Sequence, residues 1–517
     1  MKKILTLALV AVMVMGIFAG CGGKEDKNDE GLGEFSVGYA KVDITPSAER
    51  KLPLVGGNDE GTRVATGVLE RLWANCTAMS DAEGNTVILF ALDTHGIGND
   101  FITGVRNAIK EKTGIEGKFV QMTASHTHQG PPLTPSGYGY ADGLGHMMEV
   151  IDKCAAAAEE ALKDRKPAKM SVGHTRVPDL NKVRYYWLED GTLIGTAKNN
   201  TQAPYYGQAY HPDDLLQLVK FTREGGKDVV LLNWQGHYRG NPSGQYTLYS
   251  SDLMGVVRQQ LLDQAGCESM VIMGAGGNSS HHSSYPELNN ERNESYKTVG
   301  TILANEALLT LNDGMRDAET GKVTLEENIF HIQTNKNNYN LYTFGIGDVG
   351  FCMMPYEPFQ SLGMAVRDES PYAMTFIGTC ANGNDGNFYL PDAEAYSGEG
   401  AYGVSYKYVK GDSDLFHEQY ISMLKKCFEN GTTEEKEKAE GYVTDKEPYA
   451  DPTEYMNSNP GATLEQVKNG LYRIQAIRGG NVKVLLIDGK DVAEELAKMT
   501  TFKVLKDNRD IVVGIQK

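Results

Sequence analysis

The chain has 517 residues, enough for one large catalytic domain or two of ordinary size. Its net charge of −18, with no block of basic residues against it, argues against nucleic acid as a partner. After the first twenty residues no stretch is long and apolar enough to span a bilayer.

Met1-Lys2-Lys3 precedes an apolar run from Ile4 to Phe18 and then Ala19-Gly20-Cys21. A charged start, a short apolar core and small residues describe an export signal over 1–20. The Cys after Phe-Ala-Gly resembles a bacterial lipobox, which implies cleavage before Cys21 and a lipid on that residue. The expected location is therefore extracytoplasmic, with the lipid holding the protein on the cell membrane. Residues 21–35, rich in Gly, Lys, Glu and Asp, read as a flexible tether. The other cysteines are Cys76, Cys154, Cys267, Cys352, Cys380 and Cys427. Their wide spacing contains no Cys-x-x-Cys, and both disulfides and buried thiols are open.

Ser36 to Ile44 alternates like a strand and is ended by Pro46. Arg71 to Met79 and Thr86 to Asp93 read as strands joined by a turn at 81–85, followed by helix Phe101 to Lys112, which Gly114 closes. The next strand runs Phe119-Val120-Gln121-Met122-Thr123-Ala124-Ser125-His126-Thr127-His128, and Gly130-Pro131 stops it. Helix Met147 to Leu162 and strand Lys169 to Thr175 follow. Asn181 to His211 reads as a polar, substrate-facing loop. Leu215 to Phe221 and Val229 to Gln235 form a hairpin around Glu224-Gly225-Gly226. Then come helix Asp252 to Gln264, strand Met270 to Met273, the turn Gly276-Gly277-Asn278-Ser279-Ser280 and helix Tyr296 to Leu311. Strands Val323 to Gln333, Leu341 to Met354 and Ala373 to Thr379 precede helix Leu415 to Phe428.

Residues 435–463 read as a linker. Residues 464–517 read as a small α+β unit with a short helix at Val492 to Met499. The expected fold is α/β: a large domain over 36–434 with central mixed β-sheets flanked by helices, plus the small C-terminal α+β appendage.

Three strands end alike, at His126, His237 and Glu357. Two imidazoles and a carboxylate at one rim of a sheet are typical ligands of a catalytic zinc, which lowers the pKa of bound water to roughly 7. In an extended chain residues two apart face the same side, so His126 and His128 are expected to share a pocket. His95, His146, His174, His211, His331 and His417 carry no claim beyond core or surface.

Val37-Gly38-Tyr39-Ala40-Lys41-Val42-Asp43-Ile44-Thr45-Pro46, Ala124-Ser125-His126-Thr127-His128-Gln129-Gly130-Pro131, Gly276-Gly277-Asn278-Ser279-Ser280 and Met354-Pro355-Tyr356-Glu357-Pro358-Phe359 occur in that order. In this the chain resembles the catalytic domain of the neutral/alkaline, non-lysosomal ceramidases, from about Ser36 to about Glu429. The resemblance implies one zinc ion on His126, His237, Glu357 and Tyr389, with His128 as acid/base. It implies Arg184 as a fixed charge near the polar end of the substrate and Tyr402 as an oxyanion donor. Ser280 matches a family serine, and both a nucleophilic and a pocket-shaping hydroxyl are open. The implied reaction is hydrolysis of an N-acyl amide such as ceramide, a sphingolipid, to a fatty acid and a sphingoid base. The chain departs from the family in Gln129-Gly130-Pro131-Pro132, where Ser-Gly-Pro-Gly is usual, and in lacking an immunoglobulin-like C-terminal domain.

Two other readings compete: a serine-dependent amidase or esterase on the same scaffold, and a non-catalytic lipid-anchored binding protein.

Overall fold

The computed structural model describes residues 33–55, 63–134, 142–177, 180–188, 193–195, 205–208, 212–237, 246–280, 295–332, 338–383, 389–397, 403–404, 408–431, 434–440 and 442, and short strands between 477 and 514.

Strong β-formers alternate through most of these segments, and the chain forms a nine-stranded mixed sheet. Its strands are β1 (Phe35–Asp43), β2 (Trp73–Asp81), β3 (Thr86–Leu92), β4 (Val120–Ala124), β5 (Lys166–Arg176), β6 (Leu215–Arg223), β7 (Val229–Trp234) and β8 (Glu268–Met273). Arg316–Ala318 joins β5. Across the sheet the order is β8-β7-β6-β5-β1-β2-β3-β4. The two outermost pairs, β3 with β4 and β7 with β8, are parallel, and the others along this path are antiparallel.

A second sheet takes β9 (Val323–His331), β10 (Asn338–Ile346), β11 (Val349–Met353) and β12 (Met374–Gly378) in chain order. Helices α1 (Asn99–Thr113), α2 (Gly143–Lys163), α3 (Asp252–Ala265) and α4 (Ser295–Asp313) cover one face of the large sheet, with Ile88, Phe90, Val230 and Leu232 in that core. One residue along each strand, Leu89, Val229 and Leu231 turn the other way, against Phe344, Phe351 and Phe376 of the second sheet. Helices α5 (Gln360–Glu369) and α6 (Asp412–Gly431) close the far side through Leu362, Val366, Phe416 and Tyr420. The architecture is a four-layer α/β/β/α sandwich. Period-two burial on both faces produces it, because each strand must find a partner layer on either side.

The large sheet bends sharply in the middle. β5 and β6 pair over nine positions, whereas β1 and β5 share only Ser36↔Pro167 and Val37↔Lys166. At that bend a Cβ on Gly38 would lie 1.8 Å from the Ala161 carbonyl oxygen of α2, so only glycine lets the helix end cross the strand.

A flat sheet would hold β4 and β8 about 33 Å apart at 4.7–4.9 Å per strand. Here Thr379 to Asn382, just beyond β12, hydrogen-bonds to both edges. Thr379 N donates to the Met273 carbonyl of β8 (3.0 Å), and Ala124 N of β4 donates to the Cys380 carbonyl (3.2 Å). Thr123 also bridges to Ala381. The second sheet thus ties together the two edges of the first.

Three expectations are corrected. Leu341 to Met354 is a hairpin, β10 and β11, because Gly347 (φ +50°) and Asp348 turn the chain while the apolar alternation runs on. Asn181 to His211 contains strands Lys182–Val183, Tyr185–Leu188, Leu193–Gly195 and Tyr205–Gln208; the last three form a small antiparallel sheet of strands too short for a period to show in the sequence. Helix α5 was not anticipated after Pro358. All six described cysteines are buried free thiols, so burial rather than pairing accounts for them.

Beyond residue 476 three antiparallel hairpins are described, Ile477–Arg478 with Asn481–Val482, Leu486–Ile487 with Lys490–Asp491, and Lys503–Asp507 with Asp510–Gly514. Cys21, residues 21–32 of the tether, most of the linker and the expected helix Val492 to Met499 lie outside the described residues. No described helix is long and apolar enough to cross a membrane.

Candidate metal centre

The carboxyl ends of β4, β7 and β11 meet where the sheet edges are tied. One ligand-capable atom from each of His126, His237 and Glu357 lies within 4.8 Å of the others, and all three residues are buried. Glu357 Oε2 is 3.2 Å from His126 Nε2 and 3.7 Å from His237 Nδ1. It accepts no aligned hydrogen bond from any described residue. A buried carboxylate oxygen facing two imidazole nitrogens is costly unless a proton on one ring or a bound cation offsets its charge. Two nitrogens and one oxygen are also the donor set that zinc takes in catalytic sites. The residues present therefore fit a divalent ion.

His126 does not sit on an extended strand, which corrects the period-two argument. Regular pairing ends at Ala124 and His126 adopts φ +59°. Its ring and that of His128 meet edge to face at 5.0 Å because a turn folds them together. Cys380 (φ +48°) and Asn382 (φ +54°) lie in the segment that ties the sheet edges beside it. Left-handed non-glycine residues cost on the order of 1–3 kcal/mol each, and such strain clusters at functional sites.

The imidazole of His126 is held at Nδ1 by the His95 carbonyl, 2.8 Å away, which leaves Nε2 directed at Glu357. Burial opposes a charge on His126, but the Glu357 carboxylate outweighs it and lifts the imidazole well above its usual pKa. The same field favours a cation between the two. Cys380 Sγ approaches Nδ1 at 3.8 Å, and burial raises its pKa, so it faces the ring as a neutral thiol.

His237 turns Nδ1 towards Glu357 and Nε2 towards His128 Nε2, 3.0 Å away. One ring thus joins the ligand cluster to the second imidazole of His-Thr-His. His128 is positioned through its backbone: its carbonyl accepts from buried Arg63 (2.6 Å), and Thr127 Oγ1 donates to the Ser250 carbonyl (2.9 Å). Gln129, where the resembled family has serine, donates to the Leu248 carbonyl (2.9 Å), so it anchors this loop.

Tyr389 lies directly beside Glu357, because Glu357–Pro358 pairs in parallel with Tyr389–Leu390. Its ring centroid is 6.3 Å from that of His237. The turn at Gly276-Gly277 packs under this pair, and a Cβ on Gly277 would lie 2.4 Å from the Glu357 carbonyl oxygen. Arg184 reaches the same turn, its N–H donating to the Asn278 carbonyl (2.8 Å). The Ser280 backbone pairs with Lys182, while its side chain lies outside the described part. Tyr402 also lies outside the described residues; the neighbouring Gly403 packs against Tyr389.

Sequence reasoning missed His95 and Arg63. His95 offers a nitrogen to a second cluster with His126 and His128, again within 4.8 Å. Burial, then His126 and Arg63, push its pKa well below the usual range, so it is neutral, the form that binds metals. The signal was present: His95 follows strand β3 as His126 follows β4. Arg63 had no local signal, since the contact that ties it to the site is to a backbone carbonyl 65 positions away.

No protein-family model matches the sequence, and no curated protein matches it. Among solved structures the chain is similar to the crystal structure of neutral ceramidase from Pseudomonas aeruginosa, with a TM-score of 0.62 and 14% identity over 79% of this chain and 77% of that one. It is similar to a ceramidase complexed with C2 at a TM-score of 0.61 and 14% identity, over 80% and 77% of the respective chains. The large mixed sheets and their flanking helices therefore form a fold shared with ceramidases.

Proposed function

We propose that the chain is a zinc-dependent hydrolase of a linear N-acyl amide, with ceramide-like lipids as its substrate class. The observation that carries this reading is the buried meeting of His126, His237 and Glu357, with the second imidazole of His128 3.0 Å from His237. When bound, a divalent ion supplies a Lewis acid that polarises the amide carbonyl and acidifies water.

The protein's own groups do the rest. Tyr389, paired with Glu357, stands as the fourth ligand. His128 transfers a proton to the leaving amine, and His237 and the Arg63-held backbone keep it in place. Arg184 offers a fixed positive charge to the polar end of the substrate, and Tyr402 donates to the developing oxyanion. Ser280 takes no part in bond making in this reading; chelator-insensitive activity abolished by Ser280→Ala would instead make it the nucleophile.

Purified protein is expected to carry one zinc per chain and to cleave ceramides or shorter N-acyl amines, losing activity to a chelator and regaining it with zinc. Full activity in metal-free protein would end this reading. So would a ligand retained through purification with no amide in the panel hydrolysed.

The Phe-Ala-Gly-Cys signature supports anchoring through a lipid on Cys21, which would bring the site to a membrane carrying its substrate. Cys21→Ala is expected to move the protein from the membrane fraction to the soluble one; unchanged partitioning would refute the anchor.

A further inference from the structure

Strands β3 and β4 are parallel neighbours, with Leu92 opposite Ala124. Their chains therefore leave the sheet side by side, and His95 and His126 emerge next to each other. Their ring centroids are 4.3 Å apart, and His95 lies 5.1 Å edge to face from His128. The result is a second ligand-capable group, His95, His126 and His128, overlapping the first at His126.

We infer that the centre offers its cation two overlapping positions, one on His126, His237 and Glu357 and one on His95, His126 and His128. This rests on the reading of the first group as the metal centre. His126 has a single nitrogen to give, because Nδ1 is bonded to the His95 carbonyl. The positions are therefore alternatives for one ion and not a two-metal site. Three imidazoles with an open position form a complete set for zinc by themselves. At the second position the ion withdraws His128 from proton transfer, so that state is loaded and inactive. Glu357 holds the ion in the working position: a carboxylate adds net negative charge, which a third imidazole does not, and a divalent cation favours it.

The test reads zinc content and the visible spectrum of the cobalt(II)-substituted protein. Glu357→Ala is expected to keep close to one zinc per chain, with affinity lowered by at least the roughly 10–100-fold that losing an outer partner costs. Its cobalt spectrum should shift towards an all-imidazole site. Adding His95→Ala to Glu357→Ala is expected to remove the metal, whereas His95→Ala alone leaves zinc content intact. A folded Glu357→Ala protein without zinc overturns the inference. So does a Glu357→Ala/His95→Ala protein that binds zinc as tightly as Glu357→Ala. If that double variant does not fold, His237→Ala with and without His95→Gln asks the same question from the other ligand. Because metal content is measured without substrate, this zinc pattern supports the two positions even if no amide is hydrolysed.

Discussion

His126→Ala is expected to strip the bound zinc and to lower kcat/KM for amide hydrolysis on the order of 10³-fold or more, the scale on which losing a single preorganised electrostatic donor is felt. His126 is the side chain on which the cluster depends most. It alone is shared by both ligand-capable groups, its orientation is set by the His95 carbonyl, and it stands nearest the orphaned oxygen of Glu357. Removing its ring leaves that carboxylate buried, with the His237 imidazole 3.7 Å away. Zinc content and steady-state kinetics on the folded variant check this together. Wild-type zinc and rate in a folded His126→Ala protein would remove the centre from the mechanism.

His128→Ala is expected to behave differently, keeping the zinc while losing about 10²–10⁴-fold in kcat, the usual worth of a positioned proton donor. At 1.36 kcal/mol per decade this is about 3–5 kcal/mol of barrier. The loss should shrink on an N-acyl substrate whose leaving amine is weakly basic, because such a group departs with less help from an acid. A merely structural residue would slow both substrates alike. Equal losses on the two substrates, or loss of the metal, would assign His128 to holding the site and not to proton transfer.

Much of the layer structure was legible because strands and amphipathic helices are local objects. Burial on both faces marked β3, β7 and β8, Gly114 (φ +77°) ended α1, and Gly225 (φ +71°) turned the β6–β7 hairpin. The β10–β11 hairpin was hidden by an apolar alternation that runs unbroken through a two-residue turn. The strands between Lys182 and Gln208 escaped notice because each is only two to four residues long, too short for a period to show; three of them pair among themselves and Lys182–Val183 pairs with Ser279–Ser280.

For the candidate centre, the sequence by itself set three side chains at strand ends, His126 after β4, His237 after β7 and Glu357 after β11, and left His95 after β3 unclaimed. Only the tertiary structure decided that these ends meet. β4 and β7 lie near opposite edges of one sheet and come together because the sheet bends at the two-residue β1–β5 pairing and Thr379 to Asn382 bonds to both edges. No period in the chain encodes that closure, since it depends on hydrogen bonds between segments about 100 to 260 residues apart. The turn that sets His126 against His128, and the place of His95 beside them, follow from the same contacts.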